Sequence, residues 1–343
     1  MKFWQLRFTV GLSTLSVIGV CAVFQIADAQ QSHVTPRNSQ NEIEIVRLRP
    51  NFYMLAGGGS NIGVQSGTDG MVLVDAGSMD AADRNLAALQ TISRLPVRYI
   101  VDTSADADHV GGNGRFAKAG RSIFAMGSEA VGGEFAREMT NGYAASILST
   151  ENVLKRMSAP TGKVAPFPSE SWPTETFTNL RRTIFFNQEG VEILHLPAAH
   201  SDGDSIVYFR SSDIIAAGDV VDATRFPVID TKVGGSIQGE IAALNRIIEL
   251  SVRPMPLVFQ EGGTYILPGH GHVYSQQDLV EYRDMIVIIR DIIEDMLKQG
   301  MTLEQIQTAS PAKGYEPSFG AAQGPWTTRD FVRAIYEGLA RAH

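Results

Sequence analysis

Thiols are nearly absent from this 343-residue chain, whose one cysteine is Cys21. A lone cysteine excludes an intrachain disulfide framework and a cysteine-built zinc site. An excess of basic residues is missing too. With 29 Lys and Arg against 37 Asp and Glu, a net of −8, the chain lacks the basic surface that phosphate backbones require, which argues against nucleic acid as its main partner. No Gly-x-Ser-x-Gly elbow occurs and the lone cysteine lies in the apolar N-terminal stretch, so covalent serine or cysteine hydrolysis has no support. No repeat appears at solenoid periods. The composition, 44% apolar and 19% charged, is neither disordered nor membrane-embedded. For metal chemistry there remain seven His and plentiful Asp.

Lys2 and Arg7 open the chain, and residues 8–24 then run 17 positions without a charge. Ala27 and Ala29 place small residues at the −3 and −1 positions of a cut after Ala29. A basic start, an apolar stretch and a small-residue exit make residues 1–29 a secretory signal. The alternative, an uncleaved anchor, needs a span at the short limit of length. Val20 stands before Cys21 where a lipoprotein signal wants a small residue. Cleavage removes Lys2, Arg7, Cys21 and Asp28, leaving 27 basic and 36 acidic residues, a net of −9, and no cysteine. The expected home is the periplasm or the exterior, oxidising compartments in which a cysteine-free chain cannot mispair. No integral membrane contact is expected once the signal is gone.

Residues 30–42 read as a flexible lead-in. Strand-like runs follow over 44–48, 51–55, 61–65 and 71–75, separated by Gly57-Gly58-Gly59 and by Gly67-Thr68-Asp69-Gly70. A helix is expected over 81–95, a buried strand over 97–102, a helix over 109–119 and a strand over 122–125. Residues 128–180 are mixed and read as an insertion near the site. Strands resume over 182–186, 192–196, 205–209 and 214–217, a helix spans 241–250, and a last strand covers 264–267. Ser275-Gln276-Gln277-Asp278 is a capping box, after which Leu279, Tyr282, Ile286, Ile289, Ile293 and Met296 line one helical face before Gly300. Two strand clusters with helices between them fit a layered α/β sandwich.

Four polar segments each follow an expected strand: Thr103-Ser104-Ala105-Asp106-Ala107-Asp108-His109, His200-Ser201-Asp202-Gly203-Asp204, Ala217-Gly218-Asp219 and Pro268-Gly269-His270-Gly271. Strand ends of layered α/β folds converge on one rim, so these segments can meet in space. Each alone is a weak signal. Their order, with gaps of 91, 19 and 51 residues between His109, His200, Asp219 and His270, resembles the metallo-β-lactamase superfamily over about residues 43–275. Residues 71–77 resemble that family's early strand ending in Asp-x-Gly. The resemblance implies a four-layer αββα sandwich, with residues 276–343 a helical C-terminal extension packed on it.

The family's first motif is His-x-His-x-Asp-His, and the same frame here reads Ser104-x-Asp106-x-Asp108-His109. By that resemblance Asp108, His109, His270 and the bridging Asp219 form an intact second metal site. The first site retains His200 and Asp219, with Asp106 as a possible replacement ligand. Such a set is oxygen-rich and harder than three imidazoles, moving preference from zinc toward iron or manganese. Three aspartates in one cavity also call for cations to offset them. Two occupancies stay open, a single zinc in the second site or two metals with a weaker, harder first ion. Ser104 reads as a neighbour of the ligands rather than a ligand. Asp204 either holds a metal-ligating imidazole or caps a turn.

A metal with an open position lowers the pKa of water toward ~7 and polarises a carbonyl or phosphoryl oxygen. Asp108 would both ligate and orient the nucleophile, and where the first site holds no ion Asp106 would instead act as general base toward a water near His200. The implied function is an exported metal-dependent hydrolase acting on an ester, thioester, lactone or lactam carbonyl of a small-molecule substrate. Chain order and Asp219 resemble the glyoxalase II-like branches, and the superfamily also includes phosphodiesterases and sulfatases. The rivals are a redox iron protein and a catalytically silent binding protein of the same fold. His33, His195, His272 and His343 fit no ligand frame. Trp172, Phe226 and Tyr143 are read as core aromatics or pocket walls, and Gly57–Gly59 as a hairpin tip over the cleft, lacking the Lys and helix of a phosphate loop.

Overall fold

The computed structural model describes residues 42–123, 144–160, 162–254 and 262–341. The expected signal, nearly all of the lead-in, His33, Tyr143 and His343 lie outside them. Strands β1 (Glu44–Arg49), β2 (Phe52–Ala56), β3 (Ile62–Gly67), β4 (Gly70–Val74), β5 (Val97–Val101), β6 (Ser146–Thr150) and β7 (Glu175–Phe177) form one sheet in chain order. The first four pair antiparallel through short turns, and β4 to β7 run parallel. The second sheet runs in the reverse of chain order. It comprises β12 (Tyr265–His270), β11 (Ile214–Asp222), β10 (Ser205–Phe209), β9 (Glu189–His195) and β8 (Arg181–Phe186). Its pairs are antiparallel except β11 with β12.

Alternation of side chains along each strand builds the layers. Phe52, Val72, Val74, Tyr99, Val101 and Leu148 face inward from the first sheet. They meet Val191, Ile193, Val207, Phe209, Ile214 and Leu267 of the second in one buried cluster. The alternate residues Leu73, Ile100 and Ile147 face helices α1 (Ala82–Ile92) and α3 (Asn113–Ala119) through Leu86, Leu89 and Phe116. The outer face of the second sheet is covered by α5 (Ile237–Leu250) and α6 (Gln276–Lys298), against which α7 (Leu303–Ala309), α8 (Glu316–Phe319) and α9 (Thr328–Ala340) pack. The result is the expected αββα sandwich. The stripe from Leu279 to Ile293 is buried, so it serves packing.

Several boundaries differ from expectation for local reasons. The helix expected over 109–119 divides at Gly111-Gly112 into α2 (Ala107–Val110) and α3. Residues 122 and 123 are not in a strand. The described part of 128–180 is no insertion: Ser146–Thr150 and Glu175–Phe177 supply two strands of the first sheet, and α4 (Glu151–Met157) follows β6, capped by Thr150. Their few apolar residues hide the strand pattern. Strand β11 runs on past Ala217 through Asp219 to Asp222. Among the described residues no helix is long and apolar enough to cross a membrane.

The C-terminal extension is docked by Phe331, fully buried and stacked on Phe226 at 4.8 Å between ring centroids. Phe331→Ala should therefore cost about 3–5 kcal/mol, measurable as a fall in the urea midpoint.

Candidate metal centre

The site forms where parallel strands end. The C-terminal ends of β4 and β5 deliver Asp75, Thr103 and the turn leading into α2. Strand β11 delivers Asp219 from its second half, β12 delivers His270 at its C-terminal end, and the β9–β10 loop adds His200. Register shifts on both sides of Gly218 interrupt the regular pairing of β11 with β12 at Asp219. Gly269 is required there, because a Cβ would lie 2.6 Å from Asp219 Oδ1 and 2.9 Å from the Gly218 carbonyl carbon.

Each imidazole is set by its neighbours. His109, fully buried, donates from Nδ1 to Asp75 Oδ2 at 2.8 Å. Asp75 is fixed in turn by the Thr103 backbone N–H (2.8 Å) and hydroxyl (2.7 Å), and adopts φ 64° at the turn. Nε2 of His109 then points to Asp219 Oδ1, 3.0 Å away. His200 Nδ1 donates to the Val228 carbonyl at 2.8 Å, and its Nε2 lies 2.9 Å from Asp106 Oδ2. His270 Nε2 is 2.9 Å from Asp108 Oδ2, and its Nδ1 is 3.1 Å from Asp219 Oδ1.

Two trios result, Asp108–His109–His270 and Asp106–His200–Asp219, each with one ligand atom per residue and all three atoms within 4.8 Å of one another. Asp219 is a member of the second trio and also touches both imidazoles of the first, as a shared carboxylate must. His109 Nε2 and His270 Nδ1 are buried without a hydrogen bond. Orphaned ring nitrogens facing carboxylates, one imidazole backed by a carboxylate and another by a carbonyl, match the donor set of a divalent metal. The residues present therefore fit a metal.

Electrostatics agree. Burial opposes charging of His109, yet Asp219 and Asp75 outweigh it and raise its pKa well above the usual value. His200 is raised in the same way by Asp106 and Asp204. His270, against its own burial, is pushed up to about 9 by Asp108 and Asp219. Burial would raise Asp219 too, but the three imidazoles hold it well below the carboxylate range. Protons thus take the place that a cation would fill.

Two neighbouring residues resolve differently. Ser104 is buried and its Oγ accepts from the Asp106 N–H at 3.2 Å, so it shapes the turn. Asp204 accepts from the Ser201 N–H (2.7 Å) and hydroxyl (2.6 Å) and makes no hydrogen bond to His200. It acts on that ring only through its charge. His195 binds the Asp202 carbonyl at 2.8 Å, and His272 packs on Tyr274, so neither joins the centre. Phe226 is core, and Trp172 packs beside Val153 and Met157.

Asp75 received no role from sequence reasoning, although Asp-x-Gly after a strand marked the spot. Arg225 and Trp326, which line the same cavity of about 260 Å³, carried no sequence signal for a place at the site. Arg225 Nε donates to Asp222 Oδ2 at 2.6 Å.

The metallo-beta-lactamase superfamily model matches residues 55–270. The chain belongs to that superfamily. A linear primary-alkylsulfatase of Pseudomonas sp. (strain ATCC 19151) is 24% identical over 298 residues, covering 79% of this chain and 54% of that enzyme. Among solved structures, a double mutant of a sec-alkylsulfatase superposes with a TM-score of 0.61 at 12% identity, and a stereoselective inverting sec-alkylsulfatase from Pseudomonas sp. with 0.58 at 13%. Both cover 86% of this chain and 50% of the other, and at such identity the likeness speaks for the fold alone. The chain spans about half the length of these relatives. As a superfamily member it brings both sets of candidate ligands to the rim where the sandwich's parallel strands end.

Replacing Asp75 by Ala would free the His109 ring while leaving every candidate ligand in place. Zinc affinity should fall about 10–100-fold, read by competition with a chromogenic chelator. The raised imidazole pKa sets a pH dependence. Protonated His270 stabilises the metal-free fold fully below about 6.5, and that contribution is lost as pH rises through about 9. Metal needs the neutral ring, so at fixed free zinc the gain in thermal midpoint should grow from pH 6.5 to 9.

Proposed function

We propose that this protein is an exported, metal-dependent hydrolase that activates water against an ester of a small-molecule substrate. The observation that carries the reading is the pair of ligand trios linked by Asp219. Asp106, Asp108 and Asp219 bring three negative charges to one cavity. One divalent ion leaves a net of −1 and two leave +1, and the second value suits a site that must hold an anionic transition state. The second site, with two imidazoles, suits zinc. The first, with two carboxylates and one imidazole, suits a harder ion such as manganese or iron.

Divalent ions bound there would supply Lewis acidity and a lowered water pKa. The chain's own groups do the rest. Asp106 is half-buried on the cavity wall, its carboxylate held below the ordinary range because the His200 hydrogen bond and charge offset its burial. It is therefore ionised at neutral pH and placed to take the proton of an attacking water as general base. Asp108 orients that water from the opposite trio. Arg225, lining the same cavity, presents a guanidinium to negative oxygens of the substrate.

The scissile bond is an ester, and the sequence likeness to an alkylsulfatase favours a sulfate ester over a carboxylic one. Residues 1–29, read as a secretory signal, support release to the periplasm or the exterior.

Metal content by mass spectrometry tests the reading. Wild type should carry two divalent ions per chain and Asp106→Ala about one. Asp106→Asn should lower turnover of 4-nitrophenyl sulfate or acetate by about 10²–10⁴-fold. Protein that holds no metal and whose thermal midpoint ignores zinc and manganese would overturn the proposal.

A further inference from the structure

A second cavity adjoins the metal centre. It is about 550 Å³ and runs beside α9, with Ile229 and Ala334 among its apolar lining and Lys232, Asp330, Arg333 and Glu337 among its charged residues. Five residues line both this cavity and the inner one: Asp106, His200, Val228, Pro325 and Trp326. Asp106 and His200 belong to the candidate centre, and Val228 is tied to it through the His200 hydrogen bond. Pro325 and Trp326 come instead from the C-terminal extension, beyond the residues matched by the superfamily model.

Local sequence fixes Trp326 in place. Thr327 and Asp330 form a reciprocal capping box at the start of α9. Trp326 precedes the cap, and the buried Phe331 follows the box, the two positions of a hydrophobic staple. The ring is half-buried and packs against the core cluster that contains Phe331. Its indole N–H is buried without an acceptor. A hydrogen bond therefore does not hold the ring, and only its apolar surface is available to the cavities.

We propose that Trp326 is a specificity-determining residue that divides the metal chamber from an outer subsite for the apolar tail of the substrate. The reacting ester group occupies the inner chamber, and the tail passes between Val228 and Trp326 into the outer one. This assignment rests on the hydrolase reading above, and makes the substrate an amphiphile with an oxyanionic or ester head.

Sulfonates, which carry no hydrolysable ester bond, serve as probes. Zinc-loaded protein is titrated calorimetrically with methanesulfonate and with hexane-1-sulfonate. Wild type should bind the hexyl compound at least about tenfold more tightly, the factor given by burying roughly two methylenes. In Trp326→Ala that ratio should fall below about threefold, with methanesulfonate affinity and zinc content unchanged, and Trp326→Phe should retain it. A wild type without tail preference, or a Trp326→Ala protein that keeps the full ratio, overturns the inference. Tail preference in a protein that hydrolyses no ester would sustain this subsite and overturn the hydrolase reading. Hydrolysis without tail preference would do the reverse.

Discussion

Like charge at close quarters is the constraint on which the rest of this molecule depends. Asp106, Asp108 and Asp219 are drawn into one cavity, an arrangement that costs several kcal/mol unless positive charge answers it. In the metal-free protein protons on three imidazoles supply that charge, which is why His109, His200 and His270 all titrate above their ordinary range. A divalent metal would take the place of those protons, binding the lone pairs that His109 Nε2 and His270 Nδ1 offer once the rings are neutral. Affinity for metal and dependence on pH are therefore one property of one charge cluster.

Keeping such a cluster together demands a rigid frame. The frame is the dry layer between the sheets, where side chains such as Phe52 and Phe209 meet edge to face at 4.8 Å. Its parallel strands end at the rim, so small turns suffice to present the ligands. Those turns are themselves pinned: Asp75 by Thr103, His200 by the Val228 carbonyl, and the Gly58–Asn61 turn by bonds from Ser60 N–H to the Asp108 carbonyl (3.0 Å) and from Asn61 N–H to the Gly269 carbonyl (2.7 Å). The glycine-rich tip between β2 and β3 is thus stapled to α2 and to β12 beside the ligands.

Much of this was legible before any coordinates. Short strand-like runs separated by glycine-rich turns marked the antiparallel strands, and the Ser275–Asp278 box marked the start of α6, because both signals are local. Strands β6 and β7 were not legible. Ser146–Thr150 and Glu175–Phe177 carry few apolar residues, and parallel pairing with distant partners, which no local pattern encodes, makes them strands. The six candidate ligands were legible through resemblance: four motifs after strand ends, in one order, match the pattern in which the superfamily places imidazole and carboxylate. Asp204 shows the limit. Its spacing from His200 suited a contact with the ring, yet its oxygens are consumed by Ser201 two bonds at a time.

Residue types and order along the chain determined the layered fold, the exclusion of a disulfide framework or cysteine-built zinc site, and the set of groups able to hold a metal. The strand and helix pattern acts over a few residues, and the ligand set is what the resemblance to the superfamily's ordered motifs implies. Only the tertiary structure decided which nitrogen of each imidazole faces the cavity, that Asp219 touches both trios, and that Asp75 orients His109. It alone carried Trp326, 56 residues beyond His270 in the chain, to the wall of the same chamber. Directions of side chains and meetings of distant segments arise when the sheets and helices pack, and a linear pattern holds no record of them.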